Sequence, residues 1–138
     1  MSTAAGKVIS SAAAKATILC IDRYPSLLPT VKLLLQSLGY KALTASSVDE
    51  GLSHLSENRI DIVILDYTLC EHDHRKNGCV GDRIRAVQPN VKIVVWCADD
   101  APSKNGSPCA DVILIKPVDP RELATQLGFL LGSSTALA

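Results

Sequence analysis

From Thr17 onward, short apolar runs alternate with stretches whose apolar residues return at helical spacing. Uninterrupted β-branched runs bounded by polar residues read as strands, and the stretches between them as crossover helices. Regular alternation of the two builds a parallel sheet. The strands expected are Thr17–Ile21, a weaker Lys41–Thr44, Asp61–Leu65, Val91–Trp96 and Val112–Ile115. Most lack polar alternation, as strands covered by helices on both faces should. The expected fold class is α/β, a doubly wound five-stranded parallel sheet with helices on both faces.

The helices carry their own boundary signals. Leu27, Leu28, Val31, Leu34, Leu35 and Leu38 make one apolar stripe, with Ser26 placed to cap its start and Gly39 to end it. Pro29 falls in the first turn, where a missing N–H costs little. Ser47-Val48-Asp49-Glu50 reads as a capping box opening a helix that buries Val48, Leu52 and Leu55. A third helix is expected from Cys79 to Val87, stopped before Pro89. The last opens with Asp119 as cap and Pro120 at the first helical position, then buries Leu123, Leu127, Leu130 and Leu131. Ala98 to Asp111 breaks this rhythm. It holds Pro102, Gly106 and Pro108 and no apolar stripe, so the fourth crossover helix is expected to be degraded.

Composition narrows the class. A length of 138 residues suits one domain, expected over 17–131, with flexible tails at 1–16 and 132–138 and no separate catalytic or DNA-binding domain. The stretch between Lys7 and Lys15 is too short and polar for a secretory signal. Hydrophobic residues at 47% support a core, and aromatics at 4% make that core aliphatic. Lys+Arg and Asp+Glu both number 14, with no basic cluster, so a nucleic-acid partner is not expected. The apolar runs are strand-sized, so neither is a membrane. Five cysteines without C-x-x-C spacing point to reduced thiols and a cytoplasmic location.

In an open parallel sheet, ligands collect where strands end. The residues at those ends are Asp22 and Arg23, Asp66, Cys97 and Lys116. Carboxylates gathered with a lysine suit phosphoryl chemistry, which depends on placing charge. The plainer alternative for any one of them is that strands end at water.

Three segments, Ile18-Leu19-Cys20-Ile21-Asp22-Arg23-Tyr24-Pro25, Asp61-Ile62-Val63-Ile64-Leu65-Asp66-Tyr67 and Ile115-Lys116-Pro117, resemble the signatures of response-regulator receiver domains, in order and over Thr17 to Leu131. The resemblance implies a flavodoxin-like fold and a phosphoryl group accepted on Asp66 from a histidine kinase or phosphotransfer protein. It implies that Lys116 contacts the phosphoryl oxygens, that a cis bond precedes Pro117, and that Asp22, Asp66 and the Thr68 carbonyl bind Mg²⁺.

Several positions depart from the family pattern. Arg23 stands where a second acidic metal ligand is usual, so Mg²⁺ binding is expected to be weak or absent. Arg23 either replaces the metal by pairing with Asp66 or a phosphoryl group, or points to solvent. Cys97 takes the place of the Ser/Thr that closes on the phosphoryl group, and Ile113 that of the aromatic switch residue. Lys116 follows Cys97 by only 19 positions, in keeping with the broken helix. Phosphorylation is then expected to be read out differently from the family norm.

A second constellation, Cys70, His72, His74 and Cys79 with Glu71 and Asp73 between them, has ligands that suit zinc in a spacing that matches no zinc motif. A lengthened, solvated loop is the alternative. Cys20 reads as core and Cys109 as surface, and carboxylates near Cys97 would blunt it as a reactive thiol. Three functions follow. The first is a stand-alone atypical receiver, not an enzyme beyond self-catalysed phosphoryl transfer and hydrolysis, that signals by binding a downstream protein. The second is a pseudo-receiver that binds partners without phosphorylation, and the third a thiol or metal sensor. Homodimer formation is left open.

Overall fold

A computed structural model describes residues 16–70, 80–98 and 110–132. Apart from Ala16 and Gly132 the expected tails, together with His72, His74, Cys79, Cys109 and most of the segment where a degraded fourth helix is expected, lie outside the described residues. Strands β1 (Thr17–Ile21), β2 (Lys41–Ala45), β3 (Ile62–Asp66), β4 (Lys92–Cys97) and β5 (Val112–Ile115) form one parallel sheet in the order β2-β1-β3-β4-β5. This is the flavodoxin-like order, and its direction reverses between β1 and β3, where a crevice for ligands opens. Helices α1 (Leu28–Ser37), α2 (Val48–Glu57) and α3 (Val80–Val87) lie in crossovers between strands, and α4 (Pro120–Leu130) follows β5.

Strand parity sorts the core into two layers. Ile18, Cys20, Ile62, Ile64, Val94 and Trp96 face α1 and α4, where Val31, Leu35, Leu123 and Leu127 meet them. Leu19, Ile21, Val63, Leu65, Ile93 and Val95 face α2 and α3, packing on Leu55, Val80 and Ile84. Burial on both faces explains why these strands carry no polar alternation. Helix α2 approaches β1 so closely that a Cβ on Gly51 would lie 2.4 Å from Ile21 Cδ1.

The ends of the helices follow local chemistry. Ser47 Oγ accepts from the Glu50 N–H at 3.1 Å, while the Glu50 carboxylate reaches back to the Ser46 N–H at 2.8 Å. The capping box therefore closes one residue earlier than its usual form. Asp119 caps α4 by accepting from the Arg121 N–H at 2.7 Å. Gly39, at φ 96°, ends α1 with Gly39 N–H to Gln36 O and Tyr40 N–H to Leu35 O, the paired bonds of a Schellman motif. Ser26 does not cap α1: Leu27 sits at the N-cap in helical conformation with no side-chain cap. Carbonyls of Tyr24 and Pro25 accept the Leu27 and Leu28 N–H groups instead, so the helix grows out of a preceding turn. Val48, Leu52, Leu130 and Leu131, expected in the core, are only half-buried.

Strands β3 and β4 run one residue further than the apolar pattern suggests. Asp66 pairs with Trp96 and Cys97 with Ile115, so both polar residues belong to the ladder. Among the described residues, no helix is long and apolar enough to cross a membrane.

Candidate functional site

Asp22 follows β1, and its N–H extends the ladder to the Ala45 carbonyl at 3.1 Å. Ile21 is in register with Leu65, so Asp22 and Asp66 emerge side by side on adjacent strands at the reversal point of the sheet. Asp22 is fully buried and Asp66 is 2% exposed. Carboxylates this deep persist only when partnered.

The partners come from three elements. Lys116, directly after β5, donates from Nζ to Asp22 Oδ2 at 3.0 Å. Its own N–H is anchored on the Cys97 carbonyl at 2.7 Å, and the bond to Pro117 is cis as expected. The Tyr24 N–H donates to Asp22 Oδ1 at 3.0 Å. Among the described residues Asp66 is held by Thr68, whose N–H donates to Oδ1 at 3.3 Å and whose hydroxyl donates to Oδ2 at 2.8 Å. The residue expected to offer only its carbonyl thus grips the central carboxylate with its side chain as well. The ammonium of Lys116 also lies 5.4 Å from the centroid of the Trp96 ring, whose buried Nε1 has no hydrogen-bond partner among the described residues. Trp96 and the Lys116 stem border an apolar groove of about 490 Å³ against Leu27, Val31 and Leu123.

Arg23 does not pair with Asp66. Its guanidinium is in solvent, donating from Nη2 to the Tyr24 hydroxyl at 2.8 Å with Cζ 4.9 Å from that ring. The Tyr24 hydroxyl, and more weakly Asp66 and Asp22, hold its pKa above the ordinary value. An arginine whose first contact is its own chain neighbour has taken the shortest-range partner on offer. Cys97 is buried, and its Sγ faces the Leu114 carbonyl at 3.8 Å, a weak contact to β5. Ile113 is half-buried in β5. Cys20 lies beneath the pair, and burial first, then the Asp22 charge, push its thiol pKa far up, with Lys116 acting the other way.

Oxygen donors of this kind are the type a hard divalent cation prefers. Both oxygens of both carboxylates are nevertheless engaged within the chain, one carboxylate is neutralised by Lys116, and the third acidic position is Arg23. A cation entering here would share these oxygens with donors already in place. Cys70 is buried with a partner of its own, while the rest of the Cys/His constellation lies outside the described residues. Among the described residues, no group of three or more His, Cys, Asp or Glu side chains is positioned to hold a metal. The sequence alone gives no role to the side chains of Thr68, Tyr24 and Trp96. A hydroxyl two residues past a strand-final aspartate is the one signal that pointed to any of them.

Comparison with known proteins agrees with this geometry. The family model described as "Response regulator receiver domain" matches residues 18–128. The chain is 35% identical over 83 residues, 60% of its length, to the transcriptional regulatory protein GlrR of Escherichia coli K12, and the match spans 18% of that relative. Among solved structures, a response regulator receiver domain protein from Clostridium thermocellum is 26% identical with TM-score 0.72, covering 89% of this chain and 99% of that one. The response regulator TrrA from Thermotoga maritima, in complex with Mg²⁺-BeF, is 26% identical with TM-score 0.70, covering 83% and 98%.

Proposed function

Because this chain belongs to the response-regulator receiver-domain family, we propose that it accepts a phosphoryl group on Asp66 from a histidine kinase or phosphotransfer protein. It then passes the signal on by binding a downstream protein. Receiver domains of two-component systems are signalling domains, and the chemistry asked of this one is small. A carboxylate oxygen of Asp66 forms the new P–O bond as the donor's P–N bond breaks, and the departing imidazole nitrogen takes up a proton. Positioning and charge supply most of the catalysis in such transfers.

The observation that carries this reading is the Lys116–Asp22 bond beside Asp66 on the adjacent strand. One of the three ammonium donors goes to Asp22, and the others are assigned to the phosphoryl oxygens. To attack phosphorus through Oδ2, Asp66 gives up the Thr68 hydroxyl, which gives Thr68 control over acceptor readiness. Receiver domains typically take Mg²⁺ beside the acceptor. Here the proposed affinity is weak, because Arg23 replaces an acid and the remaining oxygens are already engaged. Cys97 is assigned a minor part, as a weak donor in place of a hydroxyl. The functional unit is placed at 17–131 and in the cytoplasm, in keeping with the free thiol of Cys20.

One observation favours a second reading, a pseudo-receiver that binds partners without phosphorylation. All four carboxylate oxygens of the pair have donors within the chain. Intact-protein mass after incubation with a small phosphodonor separates the two. A gain of one phosphoryl group in the wild type and none in Asp66→Asn supports the acceptor. No gain in either supports the pseudo-receiver.

A further inference from the structure

We infer that Arg23 joins Lys116 in recognising the phosphoryl group on Asp66, leaving its resting place on Tyr24 to do so. The inference rests on Asp66 being the acceptor.

The charge balance of the rim calls for such a residue. Asp22 and Asp66 carry two negative charges, and Lys116 supplies one positive charge, already committed to Asp22 at 3.0 Å. Phosphorylation exchanges the single charge of Asp66 for a group carrying about two. Nothing else described at the rim neutralises the difference except Arg23. Its backbone is fixed there, because Asp22 before it and the Tyr24 N–H after it are joined by a 3.0 Å hydrogen bond. Its guanidinium has no carboxylate partner in the described structure. It rests on one neutral hydroxyl and one ring face, both belonging to an exposed tyrosine.

Such a hold is easily exchanged. Hydrogen bonds from a guanidinium to a phosphoryl group are charge-assisted and often bidentate, whereas the bond to Tyr24 is single and solvent-exposed. The cation therefore gains by moving from Tyr24 to the phosphoryl group once that group is present. In the unphosphorylated rim, Asp66 gives it less reason to move, since both carboxylate oxygens already have Thr68 as donor. Arg23 makes and breaks no covalent bond. The P–N bond of the donor breaks and the P–O bond to Asp66 forms as before, and Arg23 takes over charge that receiver domains typically assign to a divalent cation.

The test uses the full chain with phosphoramidate as donor, read by intact mass, with EDTA and separately with excess Mg²⁺. Wild type is expected to be phosphorylated in EDTA at nearly its rate in Mg²⁺. Arg23→Gln should lower the EDTA rate about tenfold or more and so make the reaction Mg²⁺-dependent, Arg23→Lys should restore part of it, and Tyr24→Phe should not lower it. Beryllofluoride binding in EDTA, which involves no turnover, should weaken by a similar factor in Arg23→Gln. A strict Mg²⁺ requirement in wild type, or an EDTA rate and beryllofluoride affinity indifferent to Arg23→Gln, overturns the inference while leaving Asp66 as acceptor. Absence of any adduct under both conditions, or an adduct that persists in Asp66→Asn, overturns the acceptor reading and the inference together.

Discussion

Lys116 reaches across 94 positions of sequence to hold Asp22, not Asp66, at 3.0 Å. The lysine and the buried aspartate form a structural pair before they form anything catalytic. Lys116→Met should leave a fully buried carboxylate without its counter-ion and lower stability by about 2 kcal/mol, less than for a fully buried pair because the lysine is part-exposed. In an Asp22→Asn background the same substitution should cost less than about 1 kcal/mol, since no charge is stranded. Urea unfolding of the four proteins in this cycle measures both.

Arg23→Asp removes a positive charge and adds a negative one beside Asp22 and Asp66. Mg²⁺ affinity should rise, by about tenfold or more if the new carboxylate enters the coordination sphere. Calorimetric titration of both forms checks this, and equal affinities would count against a cation pocket at this rim.

Gly51→Ala should destabilise the fold by about 1 kcal/mol, although alanine is the better helix former. The added methyl meets the Cδ1 and Cγ1 atoms of Ile21, which is held on all sides in the core. Ile21→Val removes Cδ1, so the double variant should be more stable than the two separate costs predict. Thermal unfolding of the cycle reads this coupling.

Burial raises the Cys20 thiol pKa above that of the unfolded chain, so native protein keeps a proton that unfolded protein releases. The associated stability is complete below the unfolded value of about 8.5 and is lost at about 1.4 kcal/mol per pH unit above it. Burial of Tyr40 acts in the same direction at higher pH. Urea midpoints should therefore fall above pH 9, and Cys20→Ala should flatten the first part of that decline.

Cys97 faces the Leu114 carbonyl and Ile113 is aliphatic, so neither the mobile hydroxyl nor the turning ring of the usual switch is present. A two-state element needs contacts that differ between its states. Beryllofluoride should leave amide exchange over 98–111 unchanged in wild type. Changes confined to that stretch should appear in Cys97→Thr combined with Ile113→Tyr.

Apolar runs made the sheet legible, because β1, β3 and β4 are buried on both faces and leave no doubt about period. Ser47, Gly39 and Asp119 were legible because each acts within its own turn. Local signals failed where the partner is distant or the backbone has another choice. Ser26 looked like a cap, but main-chain carbonyls before α1 had already taken the N–H groups. No spacing signal marks Gln88, which accepts from the Ile60 N–H and donates to the Leu55 and Asn58 carbonyls, tying the end of α3 to the end of α2 and the turn before β3. At the site, the acidic pair and the lysine could be read from strand ends alone. The direction of Arg23 and the grip of Thr68 on Asp66 depend on side-chain rotamers, which spacing does not encode.

The chain contains a single tryptophan, and it is the ring beneath the Lys116 ammonium. An indole this close to a fixed charge has its emission energy set by that charge, while Tyr24 and the other phenols emit at shorter wavelength. Excitation at the red edge of the absorption band therefore addresses one ring at one rim of the sheet. Any event that draws Lys116 away from Asp22 should be visible as a spectral shift, with no label attached.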